Sequence, residues 1–239
     1  MSDRFFVDRP VEGTAAALSG SEARHLTKVM RAKVGDMVTL FDGTGVEYPA
    51  RIACIGRERV ELEVLAHRAV DRELALDLVL AVALPKGDRQ RWLVEKAVEL
   101  GVRRLVPLVT ERAVAQPVER ALGRLRRTVV EASKQCGRNR LMEIAAPEPF
   151  VRFAQAVSED ALCVVAHPNP DAIPAARVLE QTQDAPHIVL AVGPEGGFTE
   201  DELAAARRRW RVVHLGRRTL RVETAAVALV AMFSLGRRA

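Results

Sequence analysis

Strands that are apolar almost throughout restrict a fold severely, and this chain has five. They are Leu76–Leu84, Leu105–Val109, Ala161–Ala166, Ile188–Val192 and Val212–Leu215. A half-exposed strand alternates polar and apolar residues, whereas an unbroken run needs cover on both faces, as in a parallel sheet. The stretches between them have helical spacing. Over Asp88–Leu100, the residues Leu93, Ala97 and Leu100 share a face, and Gly101 suits the stop. Leu122, Leu125, Val129, Ala132 and Cys136 recur at the same spacing. Thr199 followed by Glu202 predicts a capping box, with Phe198 and Leu203 placed as a hydrophobic staple. Residues 75–239 therefore read as an α/β domain with a mainly parallel sheet.

Residues 1–70 read differently. Met37–Phe41, Tyr48–Ile55 and Val60–Leu65 alternate or are β-branched, and Asp42-Gly43 and Gly56 punctuate them. Ser21–Met30 between them predicts a short helix with Ser21 as cap. This portion is a small β-rich unit. The last helix, from Ala225 to Leu235, is apolar on nearly every side, so either the core or a subunit interface must cover it.

Two backbone-permissive loops follow buried strands. Gly193-Pro194-Glu195-Gly196-Gly197 ends the Ile188 strand, and Leu215-Gly216-Arg217-Arg218-Thr219-Leu220-Arg221-Val222-Glu223 ends the next. Open parallel sheets bind ligands at such strand ends. Neither loop matches a dinucleotide or P-loop fingerprint. Glu195 would repel a pyrophosphate but suits a ligand with positive charge and no phosphates. An ordinary turn is the other reading of the first loop. Arg221, set between apolar residues, is a positioned cation; Glu223 is either its ion-pair partner or a ligand contact. His167 ends a strand beside Pro168 and is either a pocket residue or a plain strand end.

The net charge is +5 and the pI near 9.5, which flags nucleic acid. Residues 1–70 hold ten basic and ten acidic residues, so the whole excess lies beyond them. Aromatic residues are only 4% of the chain, which argues against base-stacking platforms. Cys54, Cys136 and Cys163 form no C-x-x-C pair and the five histidines no ligand spacing, so no metal is expected. No apolar run is long enough to span a bilayer, and the first residues lack a signal-peptide core. A cytoplasmic location is expected.

Taken together the segments resemble the RsmE family, the ribosomal RNA small-subunit methyltransferases E of the SPOUT superfamily. The residues that carry this are Arg4-Phe-Phe-Val7, His25-Leu to Gly35-Asp36, Asp42-Gly-Thr-Gly45, Leu84-Pro-Lys-Gly-Asp88, Lys96 with Glu99-Leu-Gly-Val102, Glu131 with Gln135-Cys-Gly-Arg138, and both C-terminal loops. The family often has Thr where this chain has Val222. The resemblance implies a PUA-like RNA-binding β-barrel over 1–70 and a trefoil-knotted α/β methyltransferase domain over 75–239. It implies a homodimer that uses S-adenosyl-L-methionine to methylate N3 of the uridine at position 1498 of 16S rRNA in the small ribosomal subunit. Another RNA substrate, or RNA binding without catalysis, are the alternatives. On this reading Arg221 and Glu223 are catalytic. His167, Gly193, Pro194, Glu195, Gly196, Gly197, Leu215, Gly216, Thr219 and Leu220 hold the cofactor. Arg4, Arg24, Lys86, Arg124, Gln135 and Arg138 face RNA.

Overall fold

The computed structural model describes residues 3–113, 118–169, 172–182 and 184–236. The chain forms two compact units. One comprises the chain up to Glu73 together with Val130–Leu141; the other comprises Leu74–Val129 and the chain from Met142 onward. The segment 130–141 lies inside the stretch that the sequence reads as the larger domain.

The first unit is a six-stranded sheet built from β1 (Arg4–Phe6), β2 (Ala15–Ser19), β3 (Met37–Phe41), β4 (Val46–Ile55), β5 (Arg59–Val64) and β6 (Arg68–Ala69). The strand order is β1-β3-β4-β5-β2, with β6 on β4. In β5, Val60, Leu62 and Val64 point inward and Arg59, Glu61 and Glu63 outward, as a period of two requires. Phe5, Leu18, Leu26, Leu40 and Ile52 complete this core. The predicted helix is two pieces. A turn of α-helix, α1 (Gly20–Arg24), runs into a π-helical turn over His25–Val29. Its cap is Ser19 rather than Ser21, and no side chain bonds there, because the helix starts earlier than the apolar spacing suggested.

A buried polar network ties 130–141 into this unit. Arg4 donates to Glu47 at 3.1 Å and to Asn139 at 2.6 Å, and Arg72 shares the same Glu47 oxygen. Arg138 pairs with Glu73, and Asn139 donates to the Val70 carbonyl at 2.9 Å.

The second unit is a wholly parallel sheet. Its strands are β7 (Asp77–Val82), β8 (Arg104–Val109), β9 (Glu143–Ile144), β10 (Glu148–Pro149), β11 (Leu162–Ala166), β12 (Ile173–Pro174), β13 (His187–Val192) and β14 (Trp210–His214). The order is β10-β8-β7-β13-β11-β14-β12, with β9 on β8. The helices are α2 (Arg89–Glu99), α3 (Glu119–Cys136), α4 (Phe150–Ala156), α5 (Ala175–Gln181), α6 (Glu200–Ala206) and α7 (Val222–Leu235); the boundary between the units falls inside α3. Alternate residues Ala81, Cys163, Val165, Val189 and Ala191 pack with Phe150 and Phe153 of α4, Leu203 of α6 and Trp210 at the start of β14. The central strands are thus buried on both sides, as their unbroken runs predict. α7 lies on β7 and β13 and against α2. Its Val222, Ala226, Leu229, Val230 and Phe233 are buried, while Val227, Ala228, Ala231 and Met232 are half-exposed.

Candidate active site

Three neighbouring parallel strands, β13, β11 and β14, release their chains at the same sheet edge. The segments that follow them therefore meet, and they line an open cleft. His167, Gly193, Pro194, Glu195, Gly197, Leu215, Gly216, Thr219 and Leu220 line it, joined by Phe198, Arg218, Val222 and Ala225. Of the ten residues expected around a cofactor, Gly196 alone faces elsewhere. Its carbonyl accepts from Arg112 at 3.1 Å, which pins the loop from outside.

The glycine loop is held firmly. Thr199 and Glu202 form the expected capping box, and Glu202 also accepts from the Glu111 amide at 3.1 Å. Phe198 is buried beneath the loop and stacks on Phe150, their centroids 4.2 Å apart. A Cβ on Gly193 would stand 3.0 Å from the Phe198 ring, a tight contact that the buried, stacked ring or the loop would have to yield to admit. Gly197 has φ +70°, a conformation costly for other residues.

Polar groups on the cleft wall are few. The Nδ1 atom of His167 is buried and has no hydrogen-bond partner among the described residues. Burial pushes this imidazole below its ordinary pKa, with Arg112 and Arg207 adding to the effect against Glu200. The ring is therefore neutral near pH 7. Buried polar atoms are rarely left unpaired.

Arg221 caps α7 directly after the second loop, exposed and unpaired among the described residues. The predicted Arg221–Glu223 pair does not form. Glu223 is buried in the first turn of α7 and faces Arg89 instead, at 3.6 Å, because the helix turns its side chain inward while Arg221 stays outside. Arg89 also lies 3.5 Å from Glu195, so one guanidinium links α2, the glycine loop and α7. Sequence reasoning missed Arg89; its position at the start of α2, just after Lys86-Gly-Asp88, was the available signal.

The six residues expected on RNA divide. Arg24, Lys86, Arg124 and Gln135 are exposed. Arg4 and Arg138 are not surface cations: Arg138 is buried, the Arg4 side chain is only 9% exposed, and they are spent on Glu73 and Glu47 respectively. A free side chain and a buried structural one look alike in a basic sequence. No group of three or more His, Cys, Asp or Glu residues suited to a metal occurs among the described residues, and no described helix is long and apolar enough to cross a membrane.

Two family models match the chain: an RNA methyltransferase domain over residues 72–234 and an RNA methyltransferase PUA domain over 18–65. The fold is that of an RNA methyltransferase with an N-terminal PUA domain. Among curated proteins, the ribosomal RNA small subunit methyltransferase E of Synechocystis sp. is 33% identical over 94% of this chain and 74% of its own length. That of Bacillus subtilis is 26% identical over 93% and 91%. A solved ribosomal RNA small subunit methyltransferase E from Neisseria gonorrhoeae, bound to S-adenosyl methionine, superposes with a TM-score of 0.89 at 29% identity, covering 99% of this chain and 98% of the other. The chain belongs to the ribosomal RNA small subunit methyltransferase E family.

Proposed function

We propose that the chain transfers a methyl group from S-adenosyl-L-methionine to N3 of the uridine at position 1498 of 16S rRNA in the assembled small ribosomal subunit, in the cytoplasm and as a step of ribosome biogenesis. The observation that carries this is the meeting of three strand-end loops around one mostly apolar cleft, with Arg218 on its wall and Arg221 at the start of α7, between the lining residues Leu220 and Val222. The working form is a homodimer, supported by the half-exposed apolar residues Val227, Ala228, Ala231 and Met232 on α7. The cleft loops are the knotted part of the chain, as the family resemblance implies. Residues 1–70, completed by the segment 130–141, serve as the RNA-binding barrel, and the remainder of 75–239 as the catalytic domain.

The cleft suits the cofactor. His167 Nδ1 is a buried polar atom that a bound ligand would satisfy. Its neutral ring does not oppose a sulfonium, and the Glu195 carboxylate favours one. Backbone groups of Gly193, Pro194, Gly197, Leu215, Gly216, Thr219 and Leu220 hold the adenosine, while Gly196 acts through its bond to Arg112. Bound there, S-adenosyl-L-methionine supplies a methyl already activated by its sulfonium. The protein must align the acceptor nitrogen with it. Loss of the N3 proton to solvent leaves negative charge on the uracil oxygens. Arg221 stabilises that charge, by about the ~3 kcal/mol typical of one oxyanion donor. Glu223, held by Arg89, positions the first turn of α7. Arg24, Lys86, Arg124 and Gln135 face RNA, whereas Arg4 and Arg138 shape the unit that presents it.

Mass spectrometry of 16S rRNA from a strain lacking the gene tests the reading: N3 methylation at that uridine should vanish and return on complementation. Its persistence would refute the assignment. Replacing Arg221 by Ala should lower kcat on the order of 100-fold with cofactor Kd nearly unchanged; equal losses in both would remove Arg221 from its role.

A further inference from the structure

Exposed apolar side chains are concentrated in one place. Val29, Met30, Val34 and Met37, between 37% and 69% exposed, fall within nine residues of the first unit. Lys28, Arg31 and Lys33 interleave with them, all exposed and without an ion-pair partner among the described residues. Met30 and Met37 flank an open recess floored by Phe5, Leu26 and Val38, with Asp3 and Asp36 also on its wall. One of those carboxylates is engaged, since Asp36 accepts from the Lys33 amide at 2.7 Å.

The backbone here is unusual as well. The π-helical turn His25–Val29 leads into this segment, and such turns gather at functional sites. Arg31 has φ +55°, the one positive φ outside glycine among the described residues. Glycine would adopt that conformation without strain. Packing does not require an arginine there, because its side chain is exposed. Strain kept on a surface cation points to a use for the cation.

We propose that residues 28–37 form a docking surface for single-stranded rRNA. Lys28, Arg31 and Lys33 hold successive phosphates, and an unstacked base settles over the Met30–Met37 recess. Three unpaired cations around an apolar patch complement a polyanion with exposed base faces. The proposal rests on the reading that rRNA is the substrate, and it adds where and how the first unit grips it.

The test measures binding of the full-length protein to unmethylated small subunits and to protein-free 16S rRNA across a salt series. Each of Lys28→Ala, Arg31→Gly and Lys33→Ala should lower the slope of log affinity against log salt by roughly 0.7. Arg31→Gly retains the backbone conformation, so it removes the charge without unfolding the turn. Val29→Ser with Met37→Ser should weaken binding about fivefold at every salt concentration and leave the slope alone, as loss of apolar contact predicts. Cofactor affinity should be unchanged in every variant. Unaltered slopes in the cation variants would overturn the proposal. So would losses seen with subunits but absent with protein-free rRNA, which would assign the surface to a ribosomal protein. Failure of the wild-type protein to bind S-adenosyl-L-methionine or methylate rRNA would instead strike the proposed function.

Discussion

Replacing Arg89 by Met should destabilise the larger unit by about 2 kcal/mol, with most of the loss coming from Glu223. The pair with Glu195 is partly solvated, its side chains 38% and 45% exposed, so it contributes only ~0.2–1 kcal/mol. Glu223 differs. Its side chain is 9% exposed, and its Oε2 atom has no hydrogen bond to fall back on. Removing a partner from a fully buried pair costs ~3–5 kcal/mol. Here the arginine side is open to water, so about 1–2 kcal/mol is expected. For a chain of this size 2 kcal/mol is a fall in Tm of roughly 4–8 °C. The assay is a double-mutant cycle by urea and thermal unfolding of the wild type, Arg89→Met, Glu223→Gln and the double variant. In the Arg89→Met background, Glu223→Gln should recover about 1 kcal/mol, because it neutralises the stranded carboxylate. Additivity of the two substitutions within ~0.5 kcal/mol would refute the reasoning.

Gly193→Ala places a Cβ 3.0 Å from the Phe198 ring. Phe198 is stacked and buried, so the loop must give way; ~1–3 kcal/mol of stability should be lost, with weakened cofactor binding by calorimetry. The first unit should be acid-sensitive. Burial would raise the carboxyls of Asp42 and Glu47. Hydrogen bonds outweigh it, from Thr44 and Tyr48 in one case and from Arg72 and Arg4 in the other, and hold both below the usual range. Their folded pKa values lie under the unfolded ones, so on acidification the unfolded chain takes up protons first. The stabilisation is complete above the ordinary carboxylate range and fades as pH falls through the depressed values. Glu47→Gln should flatten this loss in unfolding curves recorded from pH 5 downward.

Much of the candidate site could be read from the residues because it depends on local rules. Unbroken apolar runs fix a parallel sheet, Thr199 and Glu202 announce a helix start, and a parallel sheet collects the loops at one edge. What escaped depends on contacts between distant residues. Arg89 is 106 residues from Glu195 and 134 from Glu223 in sequence, and no periodicity pairs them. Arg4 and Arg138 look like surface cations until Glu47, Glu73 and Asn139 fold over them. The helices α4 and α5 span only seven residues each and begin after prolines, too short for a periodic signal. The π-helical turn leaves no mark in a helical pattern, since it differs from an α-helix only in which carbonyl each amide meets.

The N-terminal unit contains a piece of chain made long after the rest of it. Arg4 and Glu47 have emerged from a translating ribosome well before Asn139, their shared partner. Until then a carboxylate and two arginines are deprived of the amide that completes their network. A form of this chain cut off before residue 130 therefore lacks a wall of its first unit, and fragments ending near residue 70 should be insoluble or protease-sensitive. Newly made chains face the same gap while only half synthesised, so the first unit should mature late, in step with the second rather than ahead of it.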